Sequence, residues 1–114
     1  GNSLEGLNVK DKGLSFGENS NGEITNINFK NAKLGVAVKD GSKLKLSKYG
    51  FTNNKYDVAV FNKKKEYEGA SLFINESNDN NNLNYLLGIN NEIIKDDNVL
   101  TKKVKNKLIN ELFY

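Results

Sequence analysis

Apolar residues along this chain come in short runs rich in β-branched and aromatic side chains, and Gly, Asn, Asp and Ser separate one run from the next. Apolar and polar positions alternate in Ile24-Thr25-Asn26 and in Leu44-Lys45-Leu46, with Gly-containing turns at 17 to 22 and 40 to 42. Successive side chains of a strand point to opposite faces, so this two-residue period predicts short strands with one face turned inward.

The runs also repeat. Laying Gly13–Leu34 over Gly35–Tyr56 without a gap pairs Leu14 with Val36, Ser15 with Ala37, Phe16 with Val38 and Ser20 with Ser42. The second half follows in step: Ile24 meets Leu46, Ile27 meets Tyr49, Phe29 meets Phe51, Asn31 meets Asn53 and Lys33 meets Lys55. A third copy opens at Asp57, where Val58, Ala59 and Val60 fall under Val36, Ala37 and Val38. The segment Lys63–Gly69 then inserts about six residues before Leu72-Phe73-Ile74, which matches Leu44-Lys45-Leu46. Leu7, one period before Phe29, marks a partial earlier copy.

A 22-residue period of two or three short strands, with no helical stretch in either complete copy, is the size of one coil of a parallel β-helix. Its coils stack about 4.8 Å apart. Residues one period apart then form columns, and the inward ones expected are Phe16/Val38/Val60, Ile24/Leu46, Ile27/Tyr49 and Phe29/Phe51. An Asn31/Asn53 column suits an amide ladder at a corner. An antiparallel sandwich with evenly spaced strands is the alternative, and the gapless match across a whole period argues against it. A leucine-rich repeat lacks its strand-then-asparagine consensus here.

Past Ile74 the columns fail, and Asn75 to Asn84 is a polar run with six Asn. Tyr85-Leu86-Leu87 and Ile93-Ile94, flanking Asn90-Asn91, read as two short strands, arranged as a hairpin. From Asp97 onward Leu100, Val104, Leu108 and Leu112 recur every four residues, with Ile109 and Phe113 on the adjoining line and Lys102, Lys103, Lys105 and Lys107 elsewhere. That spacing predicts an amphipathic helix, begun by Asp96 or Asp97 and packed on the solenoid to cover an open end. A solenoid needs such a cap because its last rung otherwise presents unpaired N–H and C=O groups.

Composition narrows the chemistry. His, Cys, Met, Trp and Pro are absent, and all 17 cationic residues are Lys. Without Cys and His there is no zinc finger, thiolate nucleophile, imidazole base or disulfide framework. A net charge of +3 carried only by Lys argues against specific nucleic-acid recognition, for which Arg is the preferred bidentate reader, and leaves a general attraction for anions. No run approaches the ~20 apolar residues that cross a bilayer, so no membrane insertion is expected. The Gly1-Asn2-Ser3 start without Met suggests a processed chain or a fragment of a longer one.

Asp11 to Ser20, then Gly35 to Ser42, then Ala59 to Tyr67 form an ordered set of motifs. Together they resemble the right-handed parallel β-helix region of bacterial surface-associated proteins of the CotH-like kinase group, over about residues 7 to 75. The resemblance implies right-handed coils; the family's kinase, where one is attached, lies in another part of the chain, and no phosphate loop or catalytic Asp loop can be placed on this sequence. The fold expected is thus an all-β solenoid: a right-handed parallel β-helix of about three coils over 1–77. Residues 78–114 are its cap of short strands and an amphipathic helix.

Stacking places Glu18, Asp40 and Asn62 in one column, with Lys39 just before Asp40. Paired carboxylates one rung apart could attract calcium or act as an acid–base pair on a sugar; carboxylates in turns more often cap local N–H groups. Asp11, Lys33 and Lys55 form a second, solvated column. Lys63, Lys64 and Lys65 beside Tyr67 lie in the insertion, which must project outward, and combine ammonium groups with an aromatic face suited to an acidic glycan.

The leading functional reading is a non-catalytic structural or interaction module of a larger bacterial surface or secreted protein, extracellular, with no cofactor, no metal and no catalytic residues. Its partners are the rest of the parent chain, or a second copy through an uncapped N-terminal edge. The alternatives are a fragment of a lyase or epimerase type enzyme using Lys39, Asp40 or Glu18 on acidic polysaccharide, and a module of a virion or adhesin fibre.

Overall fold

The computed structural model describes residues 2–3, 7–8, 12–78 and 82–114. The strands in chain order are β1 (Asn2–Ser3), β2 (Leu7–Asn8), β3 (Lys12–Phe16), β4 (Asn21–Lys30), β5 (Leu34–Lys39), β6 (Lys43–Thr52), β7 (Tyr56–Phe61), β8 (Ser71–Ser77), β9 (Tyr85–Leu87), β10 (Glu92–Lys95) and β11 (Asn98–Val99), followed by the helix α1 (Asn106–Phe113). They form a parallel β-solenoid of about four turns. One sheet runs β1-β4-β6-β8-β10-β11 with β2 also on β4, and the other runs β3-β5-β7-β9. We call them the long and the short sheet.

The register is the one the repeat implies. Leu14 pairs with Val36 and Val36 with Val58, while Phe16, Val38 and Val60 continue in line. In the long sheet Ile24 pairs with Leu46, Ile27 with Tyr49 and Phe29 with Phe51. Leu44 and Leu46 pair with Leu72 and Ile74, so the six extra residues loop out between the sheets and leave the ladder intact. Leu7 pairs with Phe29, which places the partial first copy.

Local backbone conformation explains the corners. Asn26, Lys48 and Glu76 occupy equivalent positions with φ of 61°, 54° and 57°. A residue in the left-handed region interrupts the two-residue alternation, so Ile24, Ile27 and Phe29 all face inward although an even count separates only the last two. Asn31 and Asn53 take the same conformation at the next corner, φ 57° and 55°. Asn tolerates it better than most residues, and there Asn53 Nδ2 donates to Asn31 Oδ1 at 2.7 Å, forming the expected ladder.

The interior is one apolar cluster built from both sheets, with Ile27, Val36, Val38, Leu44, Leu46, Val58, Val60 and Leu72 fully buried. Phe29 and Phe51 stack with ring centroids 5.4 Å apart. Phe16 is only half-buried, short of the full burial expected for its column, because among the described residues β3 is the end strand of the short sheet, paired with β5 alone.

The C-terminal part departs from expectation in three ways. First, the coils number about four, not three, and the parallel ladder runs past residue 77 to Lys95. Tyr85–Leu87 and Ile93–Ile94 make no hairpin with each other: β9 pairs with β7 and β10 with β8, both parallel. Continuing the coil puts Leu87 over Val60 and Ile93 over Leu72, burying both, which a projecting hairpin would not do.

Second, the helix covers only Asn106–Phe113, and Lys105 precedes it without a side-chain cap. Asp96 and Asp97 instead form a two-residue turn with φ of 49° and 67°, joining β10 to its antiparallel partner β11. The intervening chain closes the last rung: Leu100 N–H donates to Ile93 C=O and Val104 N–H to Leu87 C=O. Those N–H groups serve the rung and not a helix. Lys102, Lys103 and Lys105 therefore precede α1, and Lys107 lies on it.

Third, α1 packs on the outer face of the short sheet, not over the end of the stack. Ile109 is fully buried there with Leu34, Ala37, Ala59 and Phe61, and Tyr56, Leu86, Val104 and Phe113 pack around them. Leu108 and Leu112, expected on the apolar face, are exposed. The N-terminal edge expected to self-associate falls largely outside the described residues, as does Asp11 of the second polar column.

Candidate functional site

The insertion between β7 and β8 leaves the short sheet beside the start of α1. A network of amides joins these pieces. Asn91, buried at 2% exposure, accepts from Ala70 N–H at 2.7 Å. Its two amide hydrogens face Asn62 Oδ1 at 3.0 Å, Asn106 Oδ1 at 3.1 Å and Ile89 C=O at 2.9 Å. Asn106 Oδ1 accepts from the N–H of Asn62 at 2.9 Å, and Asn62 Nδ2 donates to the carbonyls of Tyr67 and Glu68. Loop, β9–β10 turn and helix start are thereby held in one arrangement.

Two glycines make the close approaches possible. A Cβ at Gly69 would collide with the backbone carbonyl of Asn90, and one at Gly88 would collide with the Asn106 side chain. Any larger residue at Gly69 pushes the foot of the loop away from the β9–β10 turn.

The predicted polar column is brought together but used up. Asp40 is 2% exposed, and its Oδ1 accepts the backbone N–H groups of Lys63 at 2.8 Å and Lys64 at 2.9 Å, anchoring the first turn of the insertion. Glu18 is exposed and ion-paired with Lys64. The hydrogen bond and charge of Lys64 hold the Glu18 carboxyl below its ordinary value, and Glu18 in turn raises the Lys64 ammonium. Asn62 serves the amide network. Lys39 Nζ donates to the Tyr114 hydroxyl at 2.8 Å. Among the described residues no group of three or more acidic side chains gathers as cation ligands would.

The three consecutive lysines go to different places. Lys63 Nζ lies 4.0 Å from the centre of the Tyr114 ring, and Lys64 turns to Glu18. Lys65 and Tyr67 face a cleft of about 610 Å³ between the insertion and α1, lined also by Asn62, Lys63, Glu68, Gly69, Asn90, Asn106, Lys107 and Asn110. Its volume falls inside the roughly 300–1,000 Å³ span of small-molecule sites. Three lysines against a single carboxylate, Glu68, give the cleft a positive field.

Sequence reasoning found the loop side of this cleft and missed the wall formed by Asn90, Asn106, Lys107 and Asn110. The available signal was the apolar pattern of LGVAVK and YDVAVF, whose near-continuous runs mark strands buried on both faces. A two-sided short sheet requires a cover, and among the described residues the amphipathic tail is the one helical segment that supplies it. No protein-family model, curated protein or solved structure matches the chain.

Proposed function

We propose that this chain is a non-catalytic interaction module, a β-solenoid segment of a larger bacterial surface or secreted protein. The observation that carries the reading is the state of Asp40: its carboxylate is buried against two backbone N–H groups of the insertion, where it holds a turn and faces no substrate space. Glu18, the other half of the supposed acid–base pair, is paired with Lys64 at the surface. A general acid or base must reach the proton it transfers, and Glu68 is alone among carboxylates in the cleft. The resemblance of the motifs at 11–20, 35–42 and 59–67 to a β-helix region attached to surface-associated proteins supports the extracellular setting.

The test is turnover. Purified chain incubated with a panel of acidic and neutral polysaccharides should release no reducing ends and no unsaturated sugars above a boiled control. Product formation that disappears in Asp40→Asn or Glu18→Gln would overturn the reading in favour of a lyase or hydrolase.

A further inference from the structure

We infer that the cleft between the insertion and α1 binds a short anionic oligosaccharide, held by Lys65 and Lys107 from opposite walls with Tyr67 as the stacking surface. The inference rests on the reading of the chain as a binding module, and it relocates the expected glycan contact from the run Lys63-Lys64-Lys65 to a site built from two distant stretches of sequence.

The chemistry of the lining selects the ligand. Lys65 and Lys107 are exposed and carry no ion pair or hydrogen bond among the described residues, so both ammonium groups are available to a carboxylate or sulfate. Lys64 is excluded by its pairing with Glu18 and does not line the cleft. The Asn90 and Asn110 side chains line the cleft and make no hydrogen bonds to the protein among the described residues; Asn110 Oδ1 is buried, so exposed Asn90 is the amide open to a ligand on both sides. Amides of this kind are two-sided groups that match hydroxyls able to donate and accept. Tyr67 is half-buried and offers an apolar ring beside a polar tip. Negative charge, hydroxyls and an apolar ring face occur together in an acidic sugar; a phosphate ion has no apolar face, and a neutral sugar has no use for the lysines.

The walls are also preorganised. Asn62, Asn91 and Asn106 tie the loop to the helix start through their side chains, and Gly69 seats the loop foot against Asn90. A site whose walls are already fixed loses less freedom when the ligand enters.

The experiment is a titration of the full chain with trigalacturonate, followed by amide chemical shifts and by calorimetry at low and at physiological salt. Maltotriose serves as the neutral probe and a Glu-rich peptide as the non-sugar anion. Trigalacturonate should bind, with shifts concentrated at 62–69, 90 and 106–110, and weaken about fivefold or more at the higher salt because exposed charges are screened. The double variant Lys65→Ser/Lys107→Ser should lose at least about tenfold in affinity, a change of ~1.4 kcal/mol, while Lys64→Ser should bind as the unmodified chain does. Both lysines are exposed, so the fold should survive their removal, and an unchanged amide spectrum checks this.

Absence of binding, equal binding of maltotriose, equal binding of the peptide, or affinity unaffected by the double variant would each overturn the inference. Release of cleaved sugar in the same samples would instead overturn the non-catalytic reading and leave the site standing. The two failures are thus separable.

Discussion

The two sheets of the solenoid share a rung spacing and a common interior, yet their outer faces have opposite fates. On the long sheet, β6 alternates exposed Lys43 and Lys45 with buried Leu44 and Leu46, and its outer face stays open to solvent. On the short sheet, β5 and β7 are buried nearly throughout, because Ala37, Ala59 and Phe61 point outward under α1. A parallel strand carrying apolar residues on both faces demands a second layer, and one carrying lysines refuses it. The position of the cleft follows from this asymmetry. It forms where the added layer meets the insertion, on the covered side of the molecule and not on the regular face.

Five measurements put that contrast to the test. The largest effect belongs to the interior that both sheets share: Val38→Asp buries a charge without a partner, and we expect no cooperative unfolding transition by circular dichroism. A sharp, wild-type-like melt would mean that the columns are misassigned. Next, Phe61→Ala removes a fully buried ring between β7 and α1 and should cost about 3–5 kcal/mol in urea unfolding. A loss below that range would show that the helix contributes little as a cover.

Asp40→Ala should follow at about 2–3 kcal/mol, since two N–H groups lose a charged acceptor. Hydrogen exchange should accelerate across 62–69 and remain slow in β6; uniform acceleration would remove the special role given to the loop anchor. Phe73→Ala tests the open face. With 37% of its surface already exposed, this side chain should matter by at most about 1 kcal/mol, well short of Phe61. Equal costs at Phe61 and Phe73 would erase the distinction between the two outer faces.

The smallest effect is the Glu18–Lys64 pair, which is solvent-exposed. Its contribution exists above the ordinary Glu value and is lost as pH falls through the lowered folded one. At the other end it holds below the ordinary Lys value and disappears as pH rises through the raised one. Melting midpoints of Lys64→Ser should differ little from the unmodified chain near neutrality, while the Glu18 carboxyl, followed by NMR, should return upward to its ordinary range. A Glu18 titration unmoved by that substitution would show that the pair does not form in solution.

What could be read from the sequence was whatever the repeat controls. A parallel ladder forces residues one period apart into contact, so the gapless alignment of two copies was enough to place Phe29 on Phe51, Asn31 beside Asn53 and the insertion outside the ladder. The loop lysines, Tyr67 and the Asp40 turn were legible for the same reason.

The fourth coil was not, because after the Asn-rich segment the register shifts again and a three-residue strand carries too little pattern to align. Nor was the length of α1. Spacing every four residues records which side chains could share a helix face, but Leu100 and Val104 donate their N–H groups to rung carbonyls instead. The cleft itself depended on tertiary structure: the two-sided apolar strands call for a cover, but Lys107 and Asn110 meet Lys65 and Tyr67 only once Ile109 is seated on the short sheet, and the strand pattern does not say which helix residues will then face the insertion. Periodic hydrogen bonding makes a solenoid readable one period at a time. Packing of its aperiodic tail is decided by apolar surface that remains after the coils have formed.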